Sequence, residues 1–208
     1  MPNIKLFIFD VDHTITDGTT IWEYMHQECS TWDNGKQYLQ QFLAQEIDFD
    51  EFSRRDALSW KDRDINYLHR AQAKIKMTPG FPELIQKLHE QNIKTAIISS
   101  TVGQFAEYLA DKYRIDYCYA NPLGIQNNIL DGTINLKVQG EAKGMFAKNL
   151  AEKLNLKKEE MAAAGDSHFD LPMFEYAEHS FILHNEKFKD QCKYFVHDFF
   201  AVIKIIGL

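Results

Sequence analysis

The chain has 208 residues, of which 45% are hydrophobic and 25% charged, a composition typical of soluble globular proteins. This length allows one good core, or one core with a small appended domain. The formal net charge of -7 argues against a general nucleic-acid or anionic-membrane binder, because such proteins need a positive surface. We therefore expect neither nucleic acid nor membrane as a partner, whereas a local phosphate site stays open.

The first residues, MPNIKLFIFD, lack the features of a secretory signal peptide, and no run approaches the ~18 apolar residues of a membrane span. We expect a cytoplasmic protein. The three cysteines, Cys29, Cys118 and Cys192, are odd in number and scattered, without a C-x-x-C pair. This spacing predicts buried or incidental thiols rather than a disulfide framework or a thiolate metal site.

Short apolar runs typical of buried strands alternate with stretches of helical spacing. The runs cover residues 4–9, 94–99, 161–164, 180–184 and 193–197. This alternation predicts an α/β fold with a parallel sheet and crossover helices. One helix is predicted after Pro79-Gly80 and another from about Gly140 to Asn155, because apolar residues recur on one face of each.

The pattern of apolar residues changes between residues 19 and 75. This segment contains no strand-like run, and its spacing predicts three or four amphipathic helices. All three tryptophans, Trp22, Trp32 and Trp60, fall in this segment. A helical unit of under ~60 residues needs large aromatic side chains to build a core. We predict that the tryptophans form this core, with an aromatic-lined substrate or cation pocket as the alternative.

Residues 117–138 contain Asn-Pro and Asp-Gly breakers beside short apolar pieces, which predict a small β-hairpin or flap. These features divide the chain into two predicted domains. Residues 1–16 and 78–208 form a core that contains the flap, and residues 17–77 form an inserted helical domain.

The first predicted strand ends in two aspartates, Asp10 and Asp12. Because strand side chains alternate, both point the same way at the carboxyl end of the strand, where open α/β sheets bind ligands. The spacing alone is a weak signal, since D-x-D occurs again at residues 48–50 and 62–64. Those two pairs fall in the helical segment, where solvated charge explains them.

Three further features follow Asp10 and Asp12 in order along the chain. The four together are FDVDHT (9–14), IISS (97–100), Lys143 within GEAKGMF, and AAGDSHFDLPM (163–173). In this order and at these positions the sequence resembles the haloacid dehalogenase superfamily of phosphotransferases. The likeness is strongest to the phosphoserine-phosphatase-like branch. It implies a Rossmann-like three-layer α/β/α core with a parallel sheet, plus an inserted helical cap.

The chemistry of the aspartates follows from the charge of a phosphoryl group. An attacking carboxylate such as Asp10 needs a divalent cation to remove mutual repulsion, and oxygen ligands suit Mg²⁺. Asp10 and Asp166 can supply carboxylate ligands, and the resemblance adds the backbone carbonyl of Asp12. Attack by Asp10 gives an aspartyl phosphate, which splits hydrolysis into two displacements. Asp12 then protonates the leaving alkoxide and later takes a proton from water.

The other motif residues have supporting roles in this interpretation. Lys143 and the hydroxyl of Ser99 would hold the phosphate oxygens that the metal does not contact. Asp170 is expected to orient metal-bound water or Lys143, and Thr14 to fix the loop of the first motif. Ordinary alternatives exist for each motif: a turn or N-cap at Asp166, a solvated charge at Lys143, and a helix cap over residues 99–101.

The substrate is less well indicated than the reaction. Phosphoserine phosphatases carry a glutamate soon after the first motif and an arginine in the cap. Thr19 and Thr20 stand near the glutamate's place, and the neighbouring cap residues are Arg54, Arg55 and Asp56. The family's Ser-Gly-Gly after the second strand is Ser99-Ser100-Thr101. Candidate substrate contacts are Glu23, Arg54, Arg55, Ser100 and His168, and His13 is expected only to line the site.

The leading hypothesis is therefore a Mg²⁺-dependent phosphomonoesterase acting on a small phosphorylated metabolite. Asp12 favours phosphoryl transfer over dehalogenation, because a departing halide needs no acid. A phosphotransferase with the same intermediate and a catalytically silent phosphate-binding protein stay open as alternatives. A receiver-type signalling domain is disfavoured, since it would leave the late Gly-Asp motif and the helical insert unexplained.

Overall fold

The computed structural model describes residues 3–208. In chain order its strands are β1 (Leu6–Phe9), β2 (Thr16–Asp17), β3 (Lys76–Met77), β4 (Lys94–Val102), β5 (Tyr117–Asn121), β6 (Leu123–Gln126), β7 (Ile129–Ile134), β8 (Met161–Gly165), β9 (His179–Leu183) and β10 (Tyr194–Val196). The α-helices are α1 (Ile21–Cys29), α2 (Trp32–Leu43), α3 (Phe49–Ser59), α4 (Asn66–Lys74), α5 (Phe81–Glu90), α6 (Gly103–Tyr113), α7 (Ala142–Leu154), α8 (Leu171–Phe174) and α9 (Phe199–Ile206). Residues 1 and 2, with which the predicted core domain begins, lie outside the described residues.

Six strands form one parallel sheet in the order β10-β9-β8-β1-β4-β5. The predicted α/β fold is confirmed. β1 lies inside the sheet, and Phe9 is paired with Ile97 of β4 on one side and with Ala164 of β8 on the other. The carboxyl ends of β1, β4 and β8 therefore meet at one edge, and each of these strands carries one of the predicted motifs.

β1 is buried on both faces, which explains its continuous apolar sequence. Phe7 and Phe9 face one layer, where their rings stack at 4.4 Å and Phe9 meets Phe81 of α5 at 5.6 Å. Leu6 and Ile8 face the other layer, in a cluster with residues of α7 and α8. Helices thus cover both faces of the sheet, in the three-layer arrangement that the sequence predicted.

Helices α1 to α4 lie between β2 and β3 in the chain. β2 and β3 pair antiparallel, with Thr16 opposite Met77, so that the chain enters and leaves the helical segment side by side. Trp60 is fully buried, and its ring lies 5.7 Å from that of Trp22. Trp22 and Trp32 are only partly buried, because both also face a cavity described below.

The structure corrects the predicted flap. Residues 117–121 are not part of a hairpin but form β5, the outer strand of the main sheet, and only β6 and β7 form the hairpin. The Asn-Pro signal marks the end of a core strand. Asn121 is fully buried, and its side chain bonds the backbone of Ser100, Lys137 and Val138. This side chain fastens the base of the hairpin to the sheet.

Over residues 3–208, no helix combines the length and apolar character that crossing a bilayer requires. The three cysteines are free thiols, as predicted: Cys29 is buried, and Cys118 and Cys192 are half-buried. Burial raises the pKa of the Cys29 thiol to about 11 and leaves it protonated at neutral pH.

Candidate active site

The first motif, residues 9–14, continues from the end of β1 into a turn that hydrogen bonds hold in place. The Asp10 backbone N–H donates to the carbonyl oxygen of Ala164 at 2.9 Å, which fixes the point where the strand ends. The turn is held from outside, since the Thr78 hydroxyl donates to the Thr14 carbonyl oxygen at 2.6 Å. His13 adopts a left-handed conformation with φ of 59°. The Thr14 side chain is buried away from the cavity, so its backbone rather than its hydroxyl contributes to this anchoring.

Lys143 lies in the first turn of α7 and points into the sheet edge, where only 2% of it is exposed. Its Nζ donates to Asp10 Oδ1 and to Asp170 Oδ1, both at 2.6 Å. Burial by itself would lower the pKa of Lys143, but the charges of Asp10 and Asp170 outweigh it and hold that pKa above its usual range. Lys143 is therefore a buried cation in an ion-pair network, not a solvated charge.

Asp170 holds the last motif together. Its Oδ2 accepts from the backbone N–H groups of Asp166 and Ser167 at 3.0 Å and from the Ser167 hydroxyl at 3.1 Å. Because Oδ1 accepts from Lys143, both oxygens of this carboxylate are engaged. A Cβ on Gly165 would lie 2.3 Å from Asp170 Cγ, so a side chain at position 165 would displace this carboxylate.

The residues present fit a divalent cation. Carboxylate oxygens of Asp10, Asp166 and Asp170 lie within 4.8 Å of one another. Burial raises the pKa values of Asp10 and Asp166; the neighbouring carboxylates raise them further, and Lys143 opposes the rise. With Asp170 fully bonded, the oxygens free to bind a cation belong to Asp10 and Asp166. An oxygen-only donor set of this kind suits Mg²⁺.

Asp12 lies two residues beyond Asp10, is half-buried, and lines the same cavity. Burial raises the pKa of Asp12, and contact with Thr101 opposes the rise. Ser99 is buried near the end of β4, where its Oγ accepts from the Thr101 backbone N–H at 3.2 Å, and Ser99 and Ser100 both face the cavity. β4 thus contributes hydroxyl groups close to the aspartates.

These side chains form the floor of a cavity of about 780 Å³ between the sheet edge and the helical segment. Asp10, Asp12, Ser99, Ser100, Lys143 and Asp166 line it, as do His13 and Glu23. The structure therefore brings together the predicted catalytic and metal-binding residues, one proposed substrate contact in α1, and the histidine expected to line the site.

The structure does not bring Arg54, Arg55 or His168 to the cavity lining. Arg54 pairs with Asp50, and Arg55 donates to Glu51 Oε1 at 2.7 Å and Gln41 Oε1 at 2.9 Å. Both guanidinium groups lie on the outer side of α3, because α3 buries the face that carries Phe52, Ser53, Asp56 and Ala57. In this structure neither arginine lines the cavity, and their contact with a substrate stays a prediction.

A buried pair in the helical segment was missed by the sequence analysis. His26 Nε2 lies 2.9 Å from Asp56 Oδ1, and both residues are about 1% exposed. His26 Nδ1 is 2.8 Å from the Thr31 hydroxyl, and the Trp60 indole N–H also points at it from 3.3 Å. The available signal was a charged residue inside the apolar stripe of α3, since Asp56 follows Phe52 by four residues and precedes Trp60 by four.

Sequence comparison supports the motif interpretation. A model of the haloacid dehalogenase-like hydrolase family matches residues 7–175. Similar curated proteins include phosphoserine phosphatases of Archaeoglobus fulgidus (28% identical; 83% of this chain, 50% of that protein) and Saccharomyces cerevisiae (28%; 81% and 55%). The phosphoserine phosphatase of Campylobacter jejuni subsp. doylei is 30% identical, over 82% of this chain and 83% of its own. The chain thus spans about half the length of the first two relatives.

Solved structures share the fold. A HAD family hydrolase from Salmonella enterica serovar Typhi superimposes with a TM-score of 0.89 at 24% identity, over 95% of this chain and 70% of that one. A phospho-aspartyl intermediate analogue of phosphoserine phosphatase gives a TM-score of 0.85 at 23% identity, over 98% of this chain and 99% of that one. With the family model covering most of its length and its motifs meeting at one sheet edge, the chain belongs to the haloacid dehalogenase-like hydrolase family.

Proposed function

We propose that this protein is a Mg²⁺-dependent phosphomonoester hydrolase that acts on a small phosphorylated metabolite in the cytoplasm through a phosphorylated Asp10. One observation carries the proposal. The Asp10 carboxylate lies at the base of the cavity, held by Lys143 at 2.6 Å, with Asp166 and Asp12 beside it. The names of the curated relatives, which are phosphoserine phosphatases, support the same class of reaction.

Asp10 and Asp166, with the backbone carbonyl of Asp12, would hold the cation. When bound, Mg²⁺ supplies positive charge that offsets repulsion between the carboxylates and the phosphoryl group. The raised pKa values of Asp10 and Asp166 support this assignment. Carboxyl groups that are hard to ionise on their own are stabilised in the ionised form by a bound cation.

In the first step an Asp10 oxygen attacks phosphorus. A bond from Asp10 to phosphorus forms, the bond from phosphorus to the alcohol oxygen breaks, and Asp12 gives its proton to the departing oxygen. In the second step water attacks the same phosphorus atom, Asp12 takes a proton from that water, and Asp10 is released with inorganic phosphate. The raised pKa of Asp12 suits a group that must carry a proton before the first step.

Lys143 and Ser99 are proposed to hold the phosphoryl oxygens during both displacements. Lys143 is already in place, because its ammonium group is bonded to Asp170 as well as to Asp10. Asp170 acts as a positioning residue for Lys143 and for the loop that carries Asp166. The hydrogen bonds that Asp170 makes to that loop support this role.

We further propose that residues 1–16 and 78–208 form the catalytic core and residues 17–77 a cap domain over it. The β2–β3 pair supports these bounds, since it joins the two connections between the segments. A position of the cap helices beside the cavity is supported by three of their residues that line it, Trp22, Glu23 and Trp32.

The test is hydrolysis of p-nitrophenyl phosphate with Mg²⁺, with EDTA, and by Asp10→Asn. We expect EDTA to abolish turnover and Asp10→Asn to lower kcat/KM by roughly 10⁴-fold or more. Asp190→Asn, at an exposed position outside the cavity, is the matched control and should behave as wild type. Turnover that survives EDTA, or that survives in a folded Asp10→Asn protein, would contradict the proposal.

A second measurement tests the intermediate directly. Rapid acid quench of Asp12→Asn during turnover of p-nitrophenyl phosphate should trap one phosphoryl group on the peptide that contains Asp10, because this leaving group departs without a proton while the second step lacks its base. Hydrolysis in wild type without any phosphorylated peptide in this variant would argue for direct attack by water.

A further inference from the structure

We infer that the cavity takes the phosphate ester of an uncharged, apolar alcohol, and that one face of α2 selects it. This inference rests on the proposed phosphomonoester hydrolysis and names the substrate class for it. The α2 face is defined by Trp32, Gly35, Leu39, Phe42 and Leu43, all of which line the cavity.

The α2 face has the spacing of a helix that packs into a core, but part of it is left uncovered. Its members recur every three or four residues, which places them along one side of the helix. Gly35 is the buried residue of α2. Leu39 and Leu43 are 36% and 70% exposed. The apolar stripe of this helix therefore faces the cavity and its mouth.

α2 is held in this position by a close contact with α1. A Cβ on Gly35 would lie 2.4 Å from Cδ2 of His26, so the helix backbone rests directly on the imidazole ring. The ring is fixed in turn by Asp56 at 2.9 Å and by the hydroxyl of Thr31, the residue before α2, at 2.8 Å. These contacts hold α2 in position, so the α2 face forms a fixed wall of the cavity.

The lysines and arginines around the cavity offer no free partner for a carboxylate on the alcohol. Within the part of the chain that the structure describes, Lys143 is the one lysine or arginine in the lining, and it is bonded to Asp10 and Asp170 at the phosphate end. Arg54 and Arg55 lie outside the lining. A phosphorylated amino acid would place its carboxylate near Glu23 and rings, without a cation to neutralise it.

The acidic residues of the wall are engaged by the protein itself. Asp48 Oδ1 accepts from the Glu51 backbone N–H at 2.8 Å as the N-cap of α3, and Asp50 pairs with Arg54. Asp56 pairs with His26. The fourth, Glu23, accepts from Gln27 Nε2 at 3.1 Å.

What the wall does offer is apolar surface. Trp22, Phe49 and Phe52 line the cavity together with the α2 face. The rings of Phe42 and Phe52 stack at 5.2 Å, which joins the two helices into one apolar wall. An alkyl or aryl group attached to the phosphate would be removed from water against these side chains. Each methylene so buried is worth up to about fourfold in kcat/KM.

The first test is a homologous series of substrates. kcat/KM is measured for ethyl, butyl and hexyl phosphate and for phosphoserine, each with Mg²⁺. We expect the value to rise along the series and phosphoserine to fall below butyl phosphate. A flat series, or phosphoserine as the preferred ester, would overturn the inference. If ethyl phosphate is still hydrolysed in an Asp10- and Mg²⁺-dependent way, the proposed reaction stands while the inference on substrate class fails.

A second comparison isolates charge from shape. Phosphocholine is compared with its carbon isostere, in which a tert-butyl group replaces trimethylammonium. We expect the uncharged ester to have the higher kcat/KM. The reverse preference would show that Glu23 and the rings recognise a cation, and would overturn the statement that the alcohol is uncharged.

The variants Leu39→Ser and Leu43→Ser test the α2 face itself. Each should lower the ratio of kcat/KM for hexyl phosphate to that for ethyl phosphate by about twofold to fourfold, because an apolar contact is lost. Leu58→Ser is the matched control, since Leu58 is 61% exposed on α3 and lies outside the lining. An unchanged ratio in both α2 variants, or an equal loss in Leu58→Ser, would contradict the role of the α2 face.

Discussion

The floor and the wall of the cavity are built by different means. On the floor, Lys143, Asp10 and Asp170 come from three distant parts of the chain and meet because parallel strands end at one edge. In the wall, helices hold each other through one buried pair, His26 and Asp56, and through ring contacts. The floor therefore depends on strand order, and the wall depends on how helices rotate and pack.

Both regions bury charge, but to different ends. On the floor Lys143 is shared between the carboxylates of Asp10, the proposed nucleophile, and Asp170. In the wall the imidazole and carboxylate are enclosed by helices; burial raises the pKa of Asp56, and His26 opposes the rise. From this difference we expect the proposed chemistry to be separable from the inferred preference for one kind of alcohol. Substitutions in each region test whether the floor and the wall can be altered independently, and they follow in order of decreasing expected effect.

Lys143→Met should damage the floor most. Removing the cation leaves Asp10 and Asp170 buried without a positive charge beside them, so the free energy of unfolding should fall by about 3 to 5 kcal/mol in EDTA at neutral pH. The loss should shrink toward about pH 5. Lys143 holds down the pKa of Asp10, so without it that pKa rises further, and the variant gains more stability than wild type from the proton taken up on folding as pH falls. Urea unfolding at both pH values measures this.

Lys148→Met is the control for this prediction, because Lys148 lies on the same helix but its side chain is 54% exposed. Its stability should stay near wild type at both pH values. Equal stability of the two variants would mean that the Lys143 network contributes nothing to the fold.

Gly35→Ala should damage the wall and spare the floor. The added methyl would overlap the His26 ring, and overpacking of this kind costs about 1 to 3 kcal/mol. Asn34→Ala, one residue earlier and exposed, gains the helix propensity of alanine without the overlap. Urea unfolding should separate the two variants, while ethyl phosphate hydrolysis in Gly35→Ala should still require Asp10. Stabilisation by both substitutions would show that α2 does not rest on His26.

Arg54→Gln and Arg55→Gln should have the smallest effect. Both side chains are paired on the outer face of α3, so kcat/KM for every ester should stay within about twofold of wild type. A tenfold loss confined to phosphoserine would return one of these arginines to the cavity as a carboxylate contact and would favour the original sequence interpretation.

Much of the floor could be predicted from the sequence because local rules determine it. Buried strands read as apolar runs, and a polar residue directly after such a run lies at the sheet edge, as Asp10, Ser99 and Asp166 do. Lys143 needed the motif order as well, since a lysine in a helix is by itself a surface residue. The structure shows it 2% exposed and bonded to a residue 133 positions away.

The wall could not be predicted in the same way, because three neighbouring residues of a helix point in directions about 100° apart. Which of Arg54, Arg55 and Asp56 faces inward depends on how α3 packs on α1 and α2. The stripe of Phe52, Asp56 and Trp60 decides it. The family resemblance favours the arginines, whereas the buried His26 partner makes the aspartate the inward residue.

The pairing of β2 with β3 has a mechanical consequence. Two connections that run side by side act as a single hinge, so the helical insert is expected to swing about one axis rather than slide over the sheet. The insert is also bonded to the hairpin segment: Asp62 and Ile65 donate backbone hydrogen bonds to Leu130 and Asn128, and Leu130 donates to Arg63. Swinging the insert open must either break these three bonds or carry the hairpin along, which makes the hairpin a moving part of the lid.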